Sequence, residues 1–197
     1  MMKIGITGGI GSGKTTVCKI FETLGIPVYY ADDRAKQLMI EKPALIKQIK
    51  ATFGEKSYDD QGQLNRTYLA QIVFSDPPKL KQLNQLVHPV VFEDTEQWHQ
   101  AQKNTAYTLK EAALLFESGS FRTLDAVIAV YAPQKERIKR VMQRDQVNED
   151  QVLARMEKQM SDLQKIQLSD YVITNNQRVS LVQQVLTIHQ NIIQQLK

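Results

Sequence analysis

Apolar residues along this chain form two patterns, short runs and helical spacings, and the way in which the patterns alternate predicts the fold. Five short apolar runs predict strands, at residues 3–7, 27–30, 106–115, 125–132 and 170–174. Helical patterns separate most of these runs. Short buried strands that alternate with helices are typical of βαβ units and a parallel sheet. We therefore predict an α/β fold in which a parallel five-stranded sheet is flanked by helices.

The first and last helices of this core are predicted from their apolar faces. The first helix is expected to begin near Gly13 and to stop at Gly25, with Pro27 just beyond. Its apolar face holds Val17, Ile20, Phe21 and Leu24. The last helix is expected over 179–196, docking on the sheet through an apolar face. That face holds Val182, Val185, Leu186, Ile192, Ile193 and Leu196.

Two stretches interrupt the alternation because they contain only helical patterns. Residues 32–104 predict a helical insertion, in which His88 followed by Pro89 is expected to cap and start a helix. The apolar side of that helix is predicted to hold Val91, Phe92, Thr95 and Trp98. Residues 146–167 are polar, and we expect them to be mobile. The remaining residues, 1–31, 105–145 and 168–197, are predicted to form the core.

The segment from Gly8 to Thr15 matches the phosphate-binding pattern G-x-x-x-x-G-K-[ST], directly after a predicted strand and before a predicted helix. Glycines let the backbone turn its N–H groups toward phosphate oxygens at a helix N-terminus. Lys14 is expected to bridge the β- and γ-phosphates, and the Thr15 hydroxyl to bind Mg²⁺. We therefore predict a P-loop NTPase core that binds ATP. The expected ATP-binding residues of this segment are Gly9, Gly11, Ser12, Gly13, Lys14, Thr15 and Thr16.

Composition and net charge indicate where the protein is located and which partners it has. Hydrophobic residues make up 42% of the 197 residues, and no run approaches the roughly 20 apolar residues that cross a bilayer. We expect no membrane partner, no signal peptide and a cytoplasmic location, which the single cysteine, Cys18, also fits. The net charge of +4 is spread along the chain, so we expect no nucleic-acid partner. A monomer or a weak homo-oligomer is expected.

The sequence also indicates how the triphosphate is used. A GTPase is expected to show the base-reading motif Asn-Lys-x-Asp, which is absent. A motor or pump ATPase is expected to show an apolar run that ends in Asp, and none of the predicted strands ends that way. The pattern that remains is mainly that of a small-molecule kinase.

Candidate acceptor-side residues follow the second predicted strand. Asp32 and Asp33 lie where ligands of open α/β sheets bind, outside the carboxyl ends of the strands. A carboxylate there is able to accept the proton of an attacking hydroxyl or to reach Mg²⁺. We assign this role to Asp32 and expect Asp33 to cap the following helix. Whether Asp32 acts as a base or orients the hydroxyl is left open by the sequence.

Three arginines share one face of the helix after the fourth predicted strand. Arg137, Arg140 and Arg144 have the spacing i, i+3 and i+7. They form either a solvated face paired with Glu136 and Asp145 or a set that closes over the phosphates. The sequence does not decide which of them closes. His88 is a candidate base or ligand or a helix cap, whereas His99, His189 and Trp98 are expected to be structural.

Taken together, these motifs resemble the dephospho-CoA kinase family, and the resemblance covers nearly the whole chain. The motifs are the ITGGIGSGKT run at 6–15, Ala31-Asp32, Leu64-Asn65-Arg66, the VFSD run at 73–76, Leu86-Val87-His88-Pro89, the LLFE run at 114–117, the RVMQRD run at 140–145, Arg155-Met156 with Gln159, and the DYVITN run at 170–175.

The resemblance implies a fold, an activity and a set of site residues. Members have a P-loop core, a helical domain that receives the CoA moiety, here 32–104, and a helical lid, here 146–167. They phosphorylate the ribose 3′-hydroxyl of dephospho-CoA with ATP and magnesium, giving coenzyme A and ADP. By position, the catalytic residues are Asp32, Lys14 and Arg140. Asn175 is implied as an adenine-side contact, and Asp32, Arg66 and His88 as substrate-binding residues.

Two positions depart from the family pattern. Tyr30 stands where members often have an Asp, so the first carboxylate of the family pattern is missing, and Ala113 stands where members commonly have Pro. Two other functions stay open. One is a kinase for a nucleoside monophosphate or a sugar acid, and the other is a nucleotide switch without catalysis. The presence of Asp32 and the arginine face argues against a switch, which needs no base.

Overall fold

A computed structural model describes residues 1–74 and 76–196, and its centre is one five-stranded sheet. The strands are β1 (Met2–Thr7), β2 (Val28–Tyr30), β3 (Tyr107–Glu111), β4 (Ala126–Tyr131) and β5 (Tyr171–Thr174). They lie in the order β2-β3-β1-β4-β5, and every neighbouring pair is parallel. The predicted α/β fold with a parallel five-stranded sheet flanked by helices is therefore confirmed.

Nine α-helices accompany the sheet in the described ranges. They are α1 (Lys14–Thr23), α2 (Ala31–Glu41), α3 (Pro43–Phe53), α4 (Arg66–Phe74), α5 (Pro77–Ala101), α6 (Gln134–Asp145), α7 (Glu149–Glu157), α8 (Asp162–Gln167) and α9 (Leu181–Gln195). The chain forms two compact units, one of residues Met1–Tyr30 and Ala101–Lys197 and one of Ala31–Gln100. The first contains the whole sheet, and the second is helical.

The core of the first unit packs around β1, the central strand. Ile4 and Ile6 of β1 are fully buried, and α1 covers them with Val17, Cys18 and Phe21. The aromatic ring of Phe21 meets that of Tyr107 edge-on, with ring centroids 6.5 Å apart. Burying an aromatic side chain of this size stabilises a fold by about 3 kcal/mol or more. Tyr107 pairs with Met2, so this contact lies at the amino end of β1, and the glycine-rich segment begins at the other end.

The helical unit has a small core of its own. Leu38, Leu45 and Ile49 are buried between α2 and α3. The guanidinium of Arg34 binds both carboxylate oxygens of Asp94, each at 2.9 Å, which ties α2 to α5. A bidentate pair of this kind fixes orientation as well as distance.

Some predicted boundaries and faces are wrong in detail. Strand β3 ends at Glu111, not at residue 115, because a turn follows it in which Leu115 is nevertheless buried. The predicted apolar face of α9 is shifted. Val182 is 52% exposed and Leu196 is 42% exposed, whereas Ile188 is buried.

The predicted helix start at His88 and Pro89 is also wrong, because α5 runs unbroken through both residues. The side chain of Pro89 is exposed, and the buried residues continue at intervals of four across it, so packing on one face carries the helix past the proline. Those buried residues are Val87, Val91, Thr95 and His99. Phe92 was expected on this face but is 43% exposed.

Other features of the sequence analysis have simple outcomes. Asp33 does not cap a helix from outside, because α2 begins at Ala31 and already contains it. Among the described residues, no helix has the length and apolar character needed to cross a membrane. Ser75 of the VFSD run and Lys197 of the predicted core lie outside the described residues.

Candidate active site

The glycine-rich segment joins β1 to α1 at the carboxyl edge of the sheet. Gly13 adopts a left-handed conformation, with φ of 94°, as the residue before α1. Such a backbone strongly favours glycine, and a Cβ there would also lie 2.3 Å from Nδ2 of Asn175. A Cβ on Gly9 would lie 2.3 Å from Nη2 of Arg137. A Cβ at either position would therefore force Asn175 or Arg137 to move, and at Gly13 the backbone conformation adds strain.

Those side chains bind three successive carbonyl groups of the loop. Nε of Arg137 donates to the Ile10 carbonyl at 2.9 Å, and Nη1 of Arg140 donates to the Gly11 carbonyl at 3.3 Å. Nδ2 of Asn175 donates to the Ser12 carbonyl at 2.8 Å. The carbonyl oxygens are thus drawn outward, away from the concave side of the loop.

The same contacts orient the N–H groups of the loop. A trans peptide places its C=O and N–H on opposite sides, so the N–H groups of Gly11 and Gly13 face away from the arginines and Asn175. Within residues 1–74 and 76–196, no protein group accepts a hydrogen bond from either N–H. An array of inward N–H groups at a helix N-terminus binds phosphate. The loop therefore has the geometry of an anion site.

Lys14, the first residue of α1, lies on this inner side. Its Nζ donates to the Gly8 carbonyl at 3.0 Å and lies 3.8 Å from Oε1 of Glu111. Glu111 is the last residue of β3 and is 7% exposed. The sequence analysis missed Glu111, because the strand was extended past it. An acidic residue that ends an otherwise buried strand was the signal available.

Cys18 lies behind this lysine on the buried face of α1. Burial raises the pKa of its thiol far above the usual range, and the negative charge of Glu111 raises it further. The thiol is therefore protonated and fully buried at neutral pH. Its part in the molecule is packing.

The three arginines of α6 have different surroundings. Arg137 is buried beneath the loop, and Arg140 is half-buried against both the loop and Asn175, whose carbonyl accepts from its Nη2 at 3.3 Å. Arg144 is 62% exposed and binds Asp145 at 2.7 Å. The hydrogen bond to Asp145 raises the pKa of Arg144. The structure brings Arg137 and Arg140 to the loop, and it leaves Arg144 at the surface.

The linker between α7 and α8 also reaches the loop. Oε1 of Gln159 accepts from the Ile10 N–H at 2.9 Å, and the Asp162 carboxylate forms a short ion pair with Nη1 of Arg137. Neither contact was expected from the sequence, which singled out Gln159 only through the family resemblance. The partners are 149 and 25 residues apart along the chain.

A second anchor holds α8 to the turn after β3. Lys165 is 1% exposed, and its Nζ donates to Glu117 at 2.8 Å and to the Ala113 carbonyl at 2.9 Å. Desolvation alone would raise the pKa of Glu117, but the hydrogen bonds from Lys165 and from backbone N–H groups, including that of Met160, outweigh it and lower the pKa. Glu117 is therefore held ionised. Much of 159–165 is attached to the core in this structure, and mobility of 146–167 stays a prediction.

The remaining predicted ATP-side residues lie at the start of α1. Thr15 and Thr16 are exposed in its first turn. The Ser12 hydroxyl is buried and has no hydrogen-bond partner among the described residues, while its N–H closes a turn onto the Gly9 carbonyl at 3.1 Å.

The acceptor-side residues belong to the helical unit and are all exposed. Asp32 lies in the first turn of α2, immediately after β2, and Arg66 is the first residue of α4. His88 lies in the middle of α5. Asp33 forms an ion pair of 2.6 Å with Lys36 and is 73% exposed, so it is engaged at the surface. Their use in binding a substrate stays a prediction.

Tyr30, which replaces the Asp often found in the family, ends β2. Its hydroxyl donates to Oε1 of Glu22 at 3.1 Å. Desolvation, together with the nearby negative charges, raises its pKa. This hydroxyl is neutral at physiological pH, so the position supplies no negative charge toward a metal.

Comparisons with known proteins show the family to which this chain is related. The family description "Dephospho-CoA kinase" matches residues 2–180. A dephospho-CoA kinase of Salinibacter ruber is 42% identical over 178 residues, 89% of each chain, and one of Bacteroides fragilis is 36% identical over 185 residues, 94% of this chain and 90% of its own.

Solved structures show the same relationship. A protein from Thermus thermophilus superposes with a TM-score of 0.86 at 34% identity, and a dephospho-CoA kinase from Campylobacter jejuni with a TM-score of 0.68 at 27% identity. Each comparison covers 96% of both chains. A shikimate kinase from Acinetobacter baumannii, at 20% identity and a TM-score of 0.55, shares the fold. From the phosphate loop, the arginine face and these matches together, it follows that the chain belongs to the dephospho-CoA kinase family, the kinases of the last step of coenzyme A synthesis.

Proposed function

We propose that this kinase transfers the γ-phosphoryl group of ATP to the ribose 3′-hydroxyl of dephospho-CoA, giving coenzyme A and ADP. One observation carries the proposal. In a chain of this family, three carbonyl groups of the loop are hydrogen-bonded on its outer side, so the Gly11 and Gly13 N–H groups are directed inward, where they can bind a polyphosphate.

Lys14 and Arg140 supply positive charge for the transfer. In the reaction the acceptor oxygen forms a bond to the γ-phosphorus while the bond from that phosphorus to the oxygen of the β-phosphate breaks, and charge builds on the transferred group and on ADP. The Nζ of Lys14 lies at the inner side of the loop on a side chain that is 11% exposed, and on ATP binding it exchanges the Gly8 carbonyl for phosphate oxygens. Arg140 lies beside the same loop, where its guanidinium supplies a second positive charge that stabilises the transferring phosphoryl group.

Asp32 receives or orients the acceptor hydroxyl. Its carboxylate is exposed in the first turn of α2, so it is able to meet a ligand without prior unfolding. The proton of the 3′-hydroxyl passes to this carboxylate as the oxygen attacks phosphorus. Arg66 and His88 contribute further contacts to the acceptor from the helical domain at 32–104, and Asn175 contributes at the adenine side of ATP.

Magnesium fits the oxygen donors of this site. Mg²⁺ binds few protein ligands and keeps several waters and phosphate oxygens, so it needs no cluster of carboxylates. Such a cluster, with three or more His, Cys, Asp or Glu side chains, is absent from the part of the chain that the structure describes. The Thr15 hydroxyl is exposed in the first turn of α1, and the Glu111 carboxylate ends the neighbouring strand. Thr15 would hold the ion directly and Glu111 through water, and the ion when bound neutralises phosphate charge.

The proposal also includes the location of the enzyme and its oligomeric state. A cytoplasmic location is supported by a single, buried cysteine and by the two small-molecule substrates. A monomer or weak homo-oligomer and a lid at 146–167 complete the proposal.

A coupled assay for ADP tests the acceptor. Purified protein with ATP and Mg²⁺ is expected to turn over dephospho-CoA at least ~10²-fold more efficiently than a nucleoside monophosphate or a sugar acid, since a site that hydrogen-bonds its substrate rejects others strongly. Comparable turnover with either alternative acceptor would reject dephospho-CoA as the substrate. ATP binding with no transfer to any acceptor would favour a nucleotide switch.

A further inference from the structure

The two backbone polar groups of Ile10 are both held by side chains from distant parts of the core. The N–H of Ile10 donates to Oε1 of Gln159 at 2.9 Å, and its carbonyl accepts from Nε of Arg137 at 2.9 Å. Ile10 lies between Gly9 and Gly11, at the turn of the phosphate loop. A residue flanked by glycines has little conformational preference imposed by its neighbours. The direction of these peptides is therefore set by the two side chains.

Arg137 is itself fixed in place. Its side chain is 5% exposed and forms an ion pair with Asp162, the first residue of α8. The guanidinium lies so close to Gly9 that a Cβ would meet its Cζ at 2.5 Å. Arg137 is thus held at the loop by its contact with Gly9 and by its ion pair with Asp162, and a swing toward solvent would lose both. It is a fixed donor and not a mobile arginine that closes on phosphates.

Gln159 is held by its neighbours in the linker. The N–H of Met160, the next residue, donates to Oε1 of Glu117 at 2.8 Å, and Glu117 also binds the buried Lys165. The chain is thus attached to the core immediately after Gln159, through Met160 and Asp162. An acceptor presented from an attached segment fixes its donor better than one on a free side chain.

We propose that Gln159 and Arg137 are positioning residues of the phosphate loop, which hold the Ile10 N–H and carbonyl so that the Gly11 N–H group stays directed at the phosphates of ATP. Neither side chain touches the reacting atoms. Because Gln159 lies in the linker between α7 and α8 and Asp162 begins α8, the affinity of the loop for ATP depends on where this segment lies. The proposal rests on the use of this loop as the ATP site.

The variant Gln159→Met tests the proposal, because it keeps the length of the side chain and removes the amide oxygen. Loss of one hydrogen bond that orients an anion site corresponds to a rise of ~5- to 10-fold in the Kd for ATP. Gln167→Met is the matched control, since Gln167 is exposed on α8 and makes no hydrogen bond within the described residues. We expect the control to bind ATP within twofold of the wild type. Calorimetry measures this binding without an acceptor, so the result does not depend on dephospho-CoA being the substrate.

Amide hydrogen exchange separates positioning from general destabilisation. In Gln159→Met, the Ile10 amide is expected to lose protection by ~10-fold or more while the amides of Ile4 and Ile6 in β1 keep theirs. The KM for ATP is expected to rise with that for the acceptor unchanged. An unchanged Kd for ATP with an unchanged Ile10 exchange rate would overturn the proposal. Loss of protection spread through β1 would overturn it too, because the role of Gln159 would then be structural.

Discussion

The phosphate loop and the helical unit differ in how completely the protein arranges its own functional groups. Around the loop, the carbonyl groups of three successive residues are bound by Arg137, Arg140 and Asn175. The two arginines come from α6, and Asn175 directly follows β5. In the helical unit, the side chains assigned to the acceptor are exposed, and the strong contact between helices is Arg34 with Asp94. The ATP side is therefore preorganised by the chain, whereas the acceptor side presents groups that a substrate has still to order. Preorganised groups lose less conformational entropy when a ligand binds, and exposed groups can be reached by a substrate from solvent.

The strongest test of this difference removes the charge on the preorganised side. Lys14→Ala is expected to lower kcat by at least ~10²- to 10³-fold, since it removes a positive charge aimed at the developing phosphate charge in a water-poor site. The KM for dephospho-CoA is expected to change little. Steady-state kinetics with both substrates measure these values, and activity within a few-fold of wild type would show that the loop acts without its lysine.

The corresponding test on the acceptor side is Asp32→Asn, which keeps the shape of the side chain and removes its basicity. We expect kcat to fall ~10²- to 10⁴-fold, as for loss of a general base, with the Kd for ATP unchanged. Asp33→Asn is the control, because Asp33 already binds Lys36 at the surface. A larger loss of kcat for Asp33→Asn than for Asp32→Asn would reverse the assignment. Small and equal losses would move the chemistry to Lys14 and Arg140.

A smaller effect is expected within the arginine face. Arg140→Gln removes a charged donor to the loop and should raise the Kd for ATP or lower kcat by ~10- to 10²-fold, the range for hydrogen bonds to charged groups. Arg144→Gln should change either value by less than about twofold, because Arg144 is exposed and paired with Asp145. Equal losses for the two variants, measured by calorimetry and kinetics, would mean that Arg144 moves to the phosphates when ATP binds.

The smallest expected effect concerns the attachment of α8. Because the pKa of Glu117 is lower in the folded protein, its ionisation stabilises the fold fully above the unfolded value of about 4.3, and this stabilisation is lost as pH falls through the folded pKa. Glu117→Gln is therefore expected to lower Tm by ~2–4 °C at pH 7 and by less below pH 4. Glu157→Gln, on the exposed surface of α7, is the control. A Tm difference independent of pH, in thermal scans, would exclude the ion pair as its source.

The order and type of the core elements could be predicted from sequence because they depend on local patterns. Runs such as residues 3–7 and 170–174 carry enough apolar residues to identify a strand without knowledge of its neighbours. The phosphate loop could be predicted for the same reason, because Gly8 and Gly13 belong to a short local motif. The packing of α5 through Pro89 was not predictable in this way, since a continuous buried face outweighs the local preference of proline.

Two residues that contact the phosphate loop or its lysine, Arg137 and Glu111, could not be placed there from local sequence patterns. Arg137 has the sequence context of a solvated helix face, and it becomes a buried donor through its contacts with Ile10, 127 residues away, and with Asp162. Glu111 was missed because a strand end is defined by the turn that follows it and not by its own side chain. The position of Arg137 depends on contacts between distant segments, and the end of β3 depends on the turn that follows it, and spacing along the chain encodes neither.

The burial of Cys18 has a practical consequence. Its thiol is the only one in the chain, is closed off between α1 and the sheet, and has a strongly raised pKa. Thiolate is the form that reacts with alkylating reagents, so the native enzyme should resist them. Any labelling then reports the moments at which α1 separates from β1. The rate at which Cys18 is alkylated therefore measures how often the nucleotide-binding core opens. ATP contacts the first turn of α1 in the proposed complex, so we expect bound ATP to lower this rate.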